Sequence, residues 1–365
     1  MKAVLCLWLI MTYCKTVGYA VANQKTDSPN ENNVFIITLD GFRWQELFFG
    51  ADSSLIHNQK FTKEQDIVKT FFWDEDFKER RKKLLPFFWN VIAKDGQLFG
   101  NRAYNNRVNV SNVYALSYPG YNEIFTGNTD FSIFSNSKIK NRNISFFEYL
   151  DEKSSFKGKV ASFTSWGLFP FIFNKDRSTF YLNSQNRIFE GNSSSFFKKD
   201  NDNNSIRNDF ETYSAAKEYI LSHHPRVVHI GLSGTDTYGH KKQYDYYLYQ
   251  AHLADKLIAG LWRFVQACPF YRDNTTFIIT TDHGRGSSDN SWYNHGMLVS
   301  GSSQTWAALI GNGIRSVGES RQAMQLYQKQ VAGTMGYFLN ATSYKSYSFP
   351  LTYFTTLNKK KRRTY

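Results

Sequence analysis

The sequence has little cysteine, with three residues of this type among 365. Cys6 and Cys14 lie near the N-terminus, in a segment predicted below to be a removable leader, so the mature chain keeps only Cys268. An intramolecular disulfide is therefore excluded, and an apolar core must hold the fold together. Apolar residues make up 41% and aromatic residues 17% of the chain, which is enough for one large globular core.

The sequence also lacks an apolar run of the roughly 20 residues that a membrane-spanning helix needs. Its N-terminal apolar run, residues 3–14, is shorter; it follows Lys2 and precedes a small-residue site that ends at Ala22. This pattern predicts a secretory signal peptide over residues 1–22, and a mature protein exported to a periplasm or the exterior without a membrane span. Lipidation of Cys14 is the less favoured alternative, because Tyr13 stands where such sites have a small residue.

The formal net charge is +13 at pH 7, and part of it lies in the C-terminal run from Lys359 to Arg363. A terminal charge run is typically a solvated tail, and residues 346–365 are predicted to form one. No recognisable nucleic-acid-binding motif accompanies this run, so we expect no nucleic-acid partner. A diffuse positive field would attract a small phosphorylated substrate. The sequence indicates no oligomeric state.

A polar linker over residues 23–33 precedes the first buried-strand pattern, Val34 to Leu39. Similar strand patterns cover residues 159–163, 227–232, 276–281 and 306–310, and helical patterns cover residues 84–94, 214–223, 246–267 and 319–339. Alternating strands and helices predict the α/β class, with a mostly parallel central sheet and helices on both faces, in one domain over residues 34–345. The polar segment 185–208 is predicted to be a surface insertion.

Residues that commonly bind metals lie just past the ends of three of these predicted strands. They are Asp40 in T-L-D-G-F-R, Asp236 and His240 in G-T-D-T-Y-G-H, and Asp282 and His283 in T-T-D-H-G-R-G, with His295 in a later N-H-G loop. The carboxyl ends of parallel strands meet at one edge of a sheet, so we expect these side chains to converge there. A single Asp-Gly is usually a turn and a single histidine is usually structural, but six such residues in this context favour a metal centre.

Mixed carboxylate and imidazole ligands suit zinc first and manganese second, whereas calcium prefers oxygen ligands alone. A hydroxyl nucleophile is available at Ser117 in A-L-S-Y-P-G-Y-N-E-I-F-T-G, where it is predicted to open a helix. A metal bound by Asp40, Asp282 and His283 would lower the pKa of this hydroxyl. The alternative is that S-Y-P-G forms an ordinary turn.

In their order along the chain, these motifs resemble the alkaline phosphatase superfamily, and within it the type I phosphodiesterase/nucleotide pyrophosphatase-like branch. The resemblance runs from Val34 to about Arg315. It implies an alkaline phosphatase-like fold, two divalent metal ions and a covalent phosphoserine at Ser117. It also implies the ligand sets: Asp40, Ser117, Asp282 and His283 for one metal, and Asp236, His240 and His295 for the other.

The sequence departs from its relatives at two positions. Many phosphodiesterase members have threonine where this chain has Ser117, a residue more usual in phosphatases and mutases, so the preference for monoesters or diesters stays open. Sulfatases have an arginine two positions after a proline; here Pro119 is present, but Tyr121 occupies the second position, which argues against sulfatase activity.

Three side chains are predicted to bind the substrate. Asn136 lies about where relatives place an amide that contacts phosphate, although a polar loop residue is an equal alternative. Arg177 and Arg285 could supply positive charge, or could be structural ion-pair partners.

The sequence therefore predicts a metal-dependent phosphoric ester hydrolase. The chain contains no G-x-S-x-G motif, which sets aside an α/β-hydrolase serine enzyme. Two alternatives are kept: a phosphoglycerate mutase-like phosphotransferase, and a catalytically silent, metal-stabilised module that binds an anion. Export argues against the first, and the presence of all six predicted ligands with Ser117 argues against the second.

Overall fold

A computed structural model describes residues 32–185, 206–341 and 351, together with the backbone of strands at 187–190 and 193–197. The predicted signal peptide, almost all of the linker and almost all of the basic tail lie outside the described residues. Leu351, within the predicted tail, is buried, and its backbone N–H donates to Thr334 Oγ1 over 2.9 Å. In the described part, no helix combines the length and the apolar character that crossing a bilayer requires.

The strands form a ten-stranded sheet and a three-stranded sheet. In chain order they are β1 (Asn33–Leu39), β2 (Gln97–Phe99), β3 (Asn106–Asn109), β4 (Val160–Thr164), β5 (Tyr181–Ser184), β6 (Arg187–Glu190), β7 (Ser193–Phe197), β8 (Val227–Leu232), β9 (Thr275–Thr280), β10 (Gln304–Thr305), β11 (Ala307–Gly311), β12 (Gly318–Glu319) and β13 (Met324–Tyr327). The large sheet has the order β12-β2-β11-β9-β1-β8-β4-β5-β6-β7, and the small one β10-β3-β13.

The central strands β9, β1, β8, β4 and β5 run parallel to one another. Antiparallel pairs flank them, with β11 between β9 and β2 on one side and the β5-β6-β7 meander on the other. Every residue of β1 is buried, as expected for a strand covered on both faces. The predicted α/β fold with a mostly parallel central sheet is confirmed.

Helices lie on both faces of the large sheet. They are α1 (Trp44–Phe49), α2 (Ser53–Ile56), α3 (Gln65–Phe72), α4 (Phe77–Leu84), a π-helical turn (Phe88–Ile92) that leads into α5 (Ala93–Asp95), a 3₁₀ turn (Arg102–Tyr104), α6 (Ser117–Thr126), α7 (Phe146–Asp151), α8 (Phe169–Ile172), α9 (Asp209–His223), α10 (Gly234–His240), α11 (Tyr244–Ala267) and α12 (Gln330–Phe338).

The side chains of β1 alternate between two apolar clusters, one on each face. Phe35 and Ile37 pack in the cluster that contains α9 and α11, whereas Val34 and Ile36 pack in the cluster that contains α6, α7 and α12. This arrangement puts α6, which begins at Ser117, directly on the sheet that carries the predicted ligands.

The predicted helix over residues 319–339 is wrong in its first half. β12 ends at Glu319, and β13 (Met324–Tyr327) pairs with β3 in the small sheet. Only Gln330–Phe338 is helical. Leu326 is buried between the exposed Gln325 and Tyr327, a two-residue period that is typical of a strand and too short to recognise inside a longer apolar pattern.

Candidate metal centre

The predicted ligands converge because three strands end side by side. β1 lies between β8 and β9, with Leu39 opposite Leu232 and Thr38 opposite Thr280. Asp40 follows β1 at once, and Asp282 follows β9 after one residue. Asp236 lies in the first turn of α10, just beyond β8. The edge formed by the carboxyl ends of the strands therefore holds carboxylates from three separate segments.

The first ligand group consists of Asp40, Asp282 and His283, whose ligand atoms all lie within 4.8 Å of one another. His283 Nε2 is 3.4 Å from Asp40 Oδ1 and 3.6 Å from Asp282 Oδ2. Ser117 Oγ is 3.2 Å from the same nitrogen. All four side chains are buried. The structure thus brings the predicted nucleophile into contact with the first group.

The second ligand group consists of Asp236, His240 and His295, also within 4.8 Å. Asp236 Oδ2 is 3.4 Å from His240 Nε2, and Asp236 Oδ1 is 3.7 Å from His295 Nε2. The Nε2 atoms of His240 and His295 face each other at 3.0 Å. Asp236 Oδ1 is also 4.0 Å from His283 Nε2, so the two groups adjoin.

Two observations show that these groups fit divalent cations. Asp40 Oδ1 and Asp282 Oδ2 are buried and make no hydrogen bond within the described part of the chain, an arrangement that leaves two oxygens free to bind a cation. The Nδ1 atoms of His283 and His295 lie 2.9 and 3.1 Å from the carbonyls of Gly284 and Ala115, respectively. A proton on each Nδ1 directs the lone pair of Nε2 into the group.

The electrostatics of the first group also favour a cation. Burial is the main cause that raises the pKa values of Asp40 and Asp282; the charge of Asp236 adds to the shift of Asp40, and that of Asp40 adds to the shift of Asp282. Carboxylates that repel one another at a buried site are stabilised by a cation between them.

In the second group, burial and the neighbouring His283 lower the pKa of His295 to about 2. This shift keeps the imidazole neutral, as a metal ligand must be.

Arg285 is predicted from the sequence to bind the substrate, but its described contacts are structural. The side chain is buried; it forms an ion pair with Asp236 and donates from Nε to the Gly41 carbonyl over 3.2 Å. Burial alone would raise the pKa of Asp236, but Arg285 is the largest influence that holds it below its usual range. These contacts match the alternative that Arg285 is a structural ion-pair partner.

Arg177 likewise has a full set of structural partners. Its Nε donates to Glu148 Oε1 over 2.6 Å, and its Nη2 donates to the Asn143 carbonyl over 2.9 Å. None of its described contacts reaches either ligand group. The ion-pair alternative therefore accounts for Arg177, and its contact with a substrate stays an untested prediction.

Asn136 contacts the start of α6, the helix that begins with the predicted nucleophile Ser117. Its Oδ1 accepts a hydrogen bond from the Tyr118 backbone N–H over 2.9 Å. Because this N–H is engaged and Pro119 has none, few backbone donors remain at this end of α6. The side-chain NH₂ of Asn136 makes no hydrogen bond within the described residues, and the residue is exposed. A contact between this NH₂ and a phosphate oxygen beside Ser117 stays a prediction.

Helix α6 approaches the first group so closely that one position tolerates only glycine. A Cβ on Gly120 would lie 2.2 Å from the backbone carbonyl oxygen of Asp282. One residue further along, the Tyr121 hydroxyl donates to Asp40 Oδ2 over 3.4 Å. The sequence marks Tyr121 only as a departure from sulfatases, although its position one helical turn after Ser117 is a signal that both face the same site.

Glu123 is a second residue whose role the sequence does not reveal. Its buried carboxylate accepts hydrogen bonds from the backbone N–H of Ser111 over 2.9 and 2.8 Å, and from Asn112 Nδ2 over 2.8 Å. Burial raises its pKa, and these donors partly offset the shift. The partners lie outside any helix or strand, so no periodic pattern marks the contact.

Comparison with solved structures identifies the fold. A variant of the alkaline phosphatase PafA is similar at a TM-score of 0.56 and 11% identity, over 90% of this chain and 99% of that one. BT1596, a 2-O GAG sulfatase, is similar at a TM-score of 0.57 and 11% identity, over 92% of this chain and 76% of that one. The lipoteichoic acid synthase LtaP from Listeria monocytogenes is similar at a TM-score of 0.55 and 12% identity, over 88% of this chain and 74% of that one. No family model and no curated protein matches the sequence.

The chain has an alkaline phosphatase-like fold. Similarity at 11–12% identity establishes this architecture, and the resemblance predicted from the sequence is confirmed at that level. The chain carries two candidate metal-ligand groups at the carboxyl edge of its sheet. The phosphodiesterase/nucleotide pyrophosphatase-like branch stays a prediction.

Proposed function

We propose that the chain is a metal-dependent phosphoric ester hydrolase of the phosphodiesterase or phosphatase type, with Ser117 as nucleophile. One observation carries the proposal. The Ser117 hydroxyl lies 3.2 Å from His283 Nε2, beside a buried group whose carboxylate oxygens Asp40 Oδ1 and Asp282 Oδ2 have no hydrogen bond within the described residues. A hydroxyl placed at unsatisfied anionic oxygens is suited to chemistry that a divalent cation assists.

Two cations, zinc by preference and manganese as the alternative, would neutralise the phosphoryl group and lower the pKa of the nucleophile. The first ligand group and Ser117 would hold one cation, and Asp236, His240 and His295 would hold the other. The groups adjoin through the 4.0 Å contact between His283 and Asp236, so one phosphoryl group can reach both.

The chain's own residues would then position the reaction. Ser117 Oγ would form a bond to phosphorus while the bond to the leaving alcohol breaks, and water would later hydrolyse the resulting phosphoserine. Gly120 allows α6 to approach Asp282, which sets the distance between Ser117 and the first group. The free NH₂ of Asn136 would donate to a phosphoryl oxygen, because the Oδ1 of this residue is already held by Tyr118 N–H.

The test measures hydrolysis of an aryl phosphate monoester and an aryl phosphodiester, with and without a chelator. We expect turnover of at least one ester that is lost on chelation and restored by zinc or manganese. Ser117→Ala should abolish turnover while metal content stays near normal, because six protein ligands remain. Ser178→Ala is the matched control, since this buried serine donates to the carbonyls of Phe173 and Asn174 over 3.0 and 3.3 Å, away from both ligand groups.

The same assay separates the alternatives. Absence of turnover on both esters despite bound metal would favour the catalytically silent anion-binding module. Transfer of phosphate to an acceptor alcohol in preference to water would favour the mutase-like phosphotransferase. Substantial activity in Ser117→Ala would overturn the assignment of the nucleophile. The relative rates on the two esters decide between a phosphatase and a phosphodiesterase.

We also propose export to a periplasm or the exterior, on the leader pattern of residues 1–22. N-terminal sequencing of the mature protein should begin at Asn23, the residue that follows the small-residue site. Recovery of a chain that still begins at Met1 would contradict this proposal.

A further inference from the structure

One loop, residues 111–116, joins the nucleophile helix to the second ligand group. At one end of the loop, Ser111 and Asn112 donate to the carboxylate of Glu123, which lies on α6 six residues after Ser117. At the other end, the carbonyl of Ala115 lies 3.1 Å from His295 Nδ1. The loop is therefore part of the surroundings of a predicted ligand, although it contributes no ligand itself.

Ala115 needs outside support to keep this position. Its φ angle is +45°, in the left-handed region that residues with a Cβ adopt at a cost. Its N–H donates to Asn112 Oδ1 over 2.8 Å, and Asn112 Nδ2 in turn donates to Glu123 Oε1 over 2.8 Å. Asn112, Ala115 and Glu123 are all buried. The two side-chain hydrogen bonds of Asn112 thus hold the strained residue against the buried end of α6.

We propose that Asn112 and Glu123 are positioning residues for His295. They fix Ala115 so that its carbonyl accepts the Nδ1 proton of His295, and this keeps Nε2 deprotonated and directed at Asp236 and His240. Neither residue touches a ligand atom; both act through the Ala115 carbonyl. The inference rests on the two-cation centre of the proposed function. It means that the metal affinity of the second ligand group depends on contacts with α6.

The experiment titrates chelator-treated protein with zinc and measures the affinity of each site by calorimetry. Asn112→Ala removes the acceptor for Ala115 N–H and the side-chain donor to Glu123, and of the donors of Asn112 it leaves only the backbone N–H to donate to this carboxylate. We expect it to weaken one zinc site by about 10- to 100-fold, the usual effect of removing a group that orients a ligand, and to leave the other site unchanged. The weakened site should be the one that His295→Ala removes.

Asn122→Ala is the matched control. Asn122 is also a buried asparagine with hydrogen bonds to loop residues: it donates to the Asn128 carbonyl over 2.9 Å and accepts from Asn141 and Asn143 over 3.1 Å each. Asn122 lies on α6 next to Glu123, but it has no described link to His295. We expect both zinc sites to keep their affinities in Asn122→Ala, even if its melting temperature falls.

Glu123 provides the conservative variant. Glu123→Gln keeps Oε1, which accepts from the Asn112 side chain, whereas Glu123→Ala removes it. We expect the second zinc site to weaken in Glu123→Ala and to recover most of its affinity in Glu123→Gln. Equal zinc affinities in Asn112→Ala and the unaltered chain would overturn the inference, as would a loss of the same size in Asn122→Ala. An unaltered chain that binds two zinc ions but hydrolyses no ester would defeat the proposed function alone.

Discussion

Gly120→Ala offers a sharp test of how α6 is placed. The added Cβ would lie 2.2 Å from the Asp282 carbonyl oxygen, and atoms of this kind do not approach below 3.0 Å. The obstacle is backbone that continues from β9, so it cannot rotate away as a side chain would. The start of α6, and Ser117 with it, must therefore move by roughly 1 Å, the scale of displacement that can cost about 100-fold in rate.

The same contact should lower stability. Overpacking a well-packed interior by one methyl group typically costs about 1–3 kcal/mol in the free energy of unfolding. We therefore expect Gly120→Ala to lose this amount in urea unfolding, and to lose about 100-fold in kcat on the better aryl ester. Zinc stoichiometry should stay at two, because no ligand is removed.

Gly260→Ala is the control for Gly120→Ala. It makes the same change inside helix α11, but the new Cβ would meet only the Tyr213 hydroxyl, at 2.9 Å, at the far end of a side chain that can move. Its stability should change by less than about 1 kcal/mol, since alanine also favours a helix over glycine. A kcat for Gly120→Ala within about threefold of the unaltered chain would refute the assignment of α6 as the element that sets the Ser117 position.

Three further variants test single contacts. Asp282→Ala should remove about one zinc per chain in metal analysis, since it takes a carboxylate from the first group; unchanged stoichiometry would count against its role. Asn136→Ala should lower kcat/KM by about tenfold or more, the effect of losing a hydrogen bond to a charged group; no change would leave Asn136 as a helix cap alone. Asp255→Ala should cost about 2–4 kcal/mol in unfolding without changing zinc content, because Phe87 and Phe88 would lose the acceptors of two buried N–H groups, at 2.9 and 3.0 Å.

The sequence predicted the parts of the site that follow directly from strand ends. Asp40 and Asp282 come straight after buried runs, and the carboxyl ends of parallel strands must share an edge, so their convergence needed no knowledge of distant contacts. The helix assigned to residues 319–339 was wrong in its first half because β13 is stabilised by pairing with β3, which lies far earlier in the chain. The periodicity of a short segment carries no information about such a distant partner.

The three contacts of α6 have one physical consequence in common. Gly120 sets the distance from Ser117 to Asp282, the Tyr121 hydroxyl reaches Asp40, and Glu123 reaches His295 through the 111–116 loop. The helix that carries the proposed nucleophile is thus fixed against both ligand groups by residues within two turns of Ser117. A shift of α6 would disturb the first group and the second group together, because a rigid helix transmits displacement along its length. The placement of the hydroxyl is therefore tied to both groups, whose carboxylates follow the adjacent strands β1, β8 and β9.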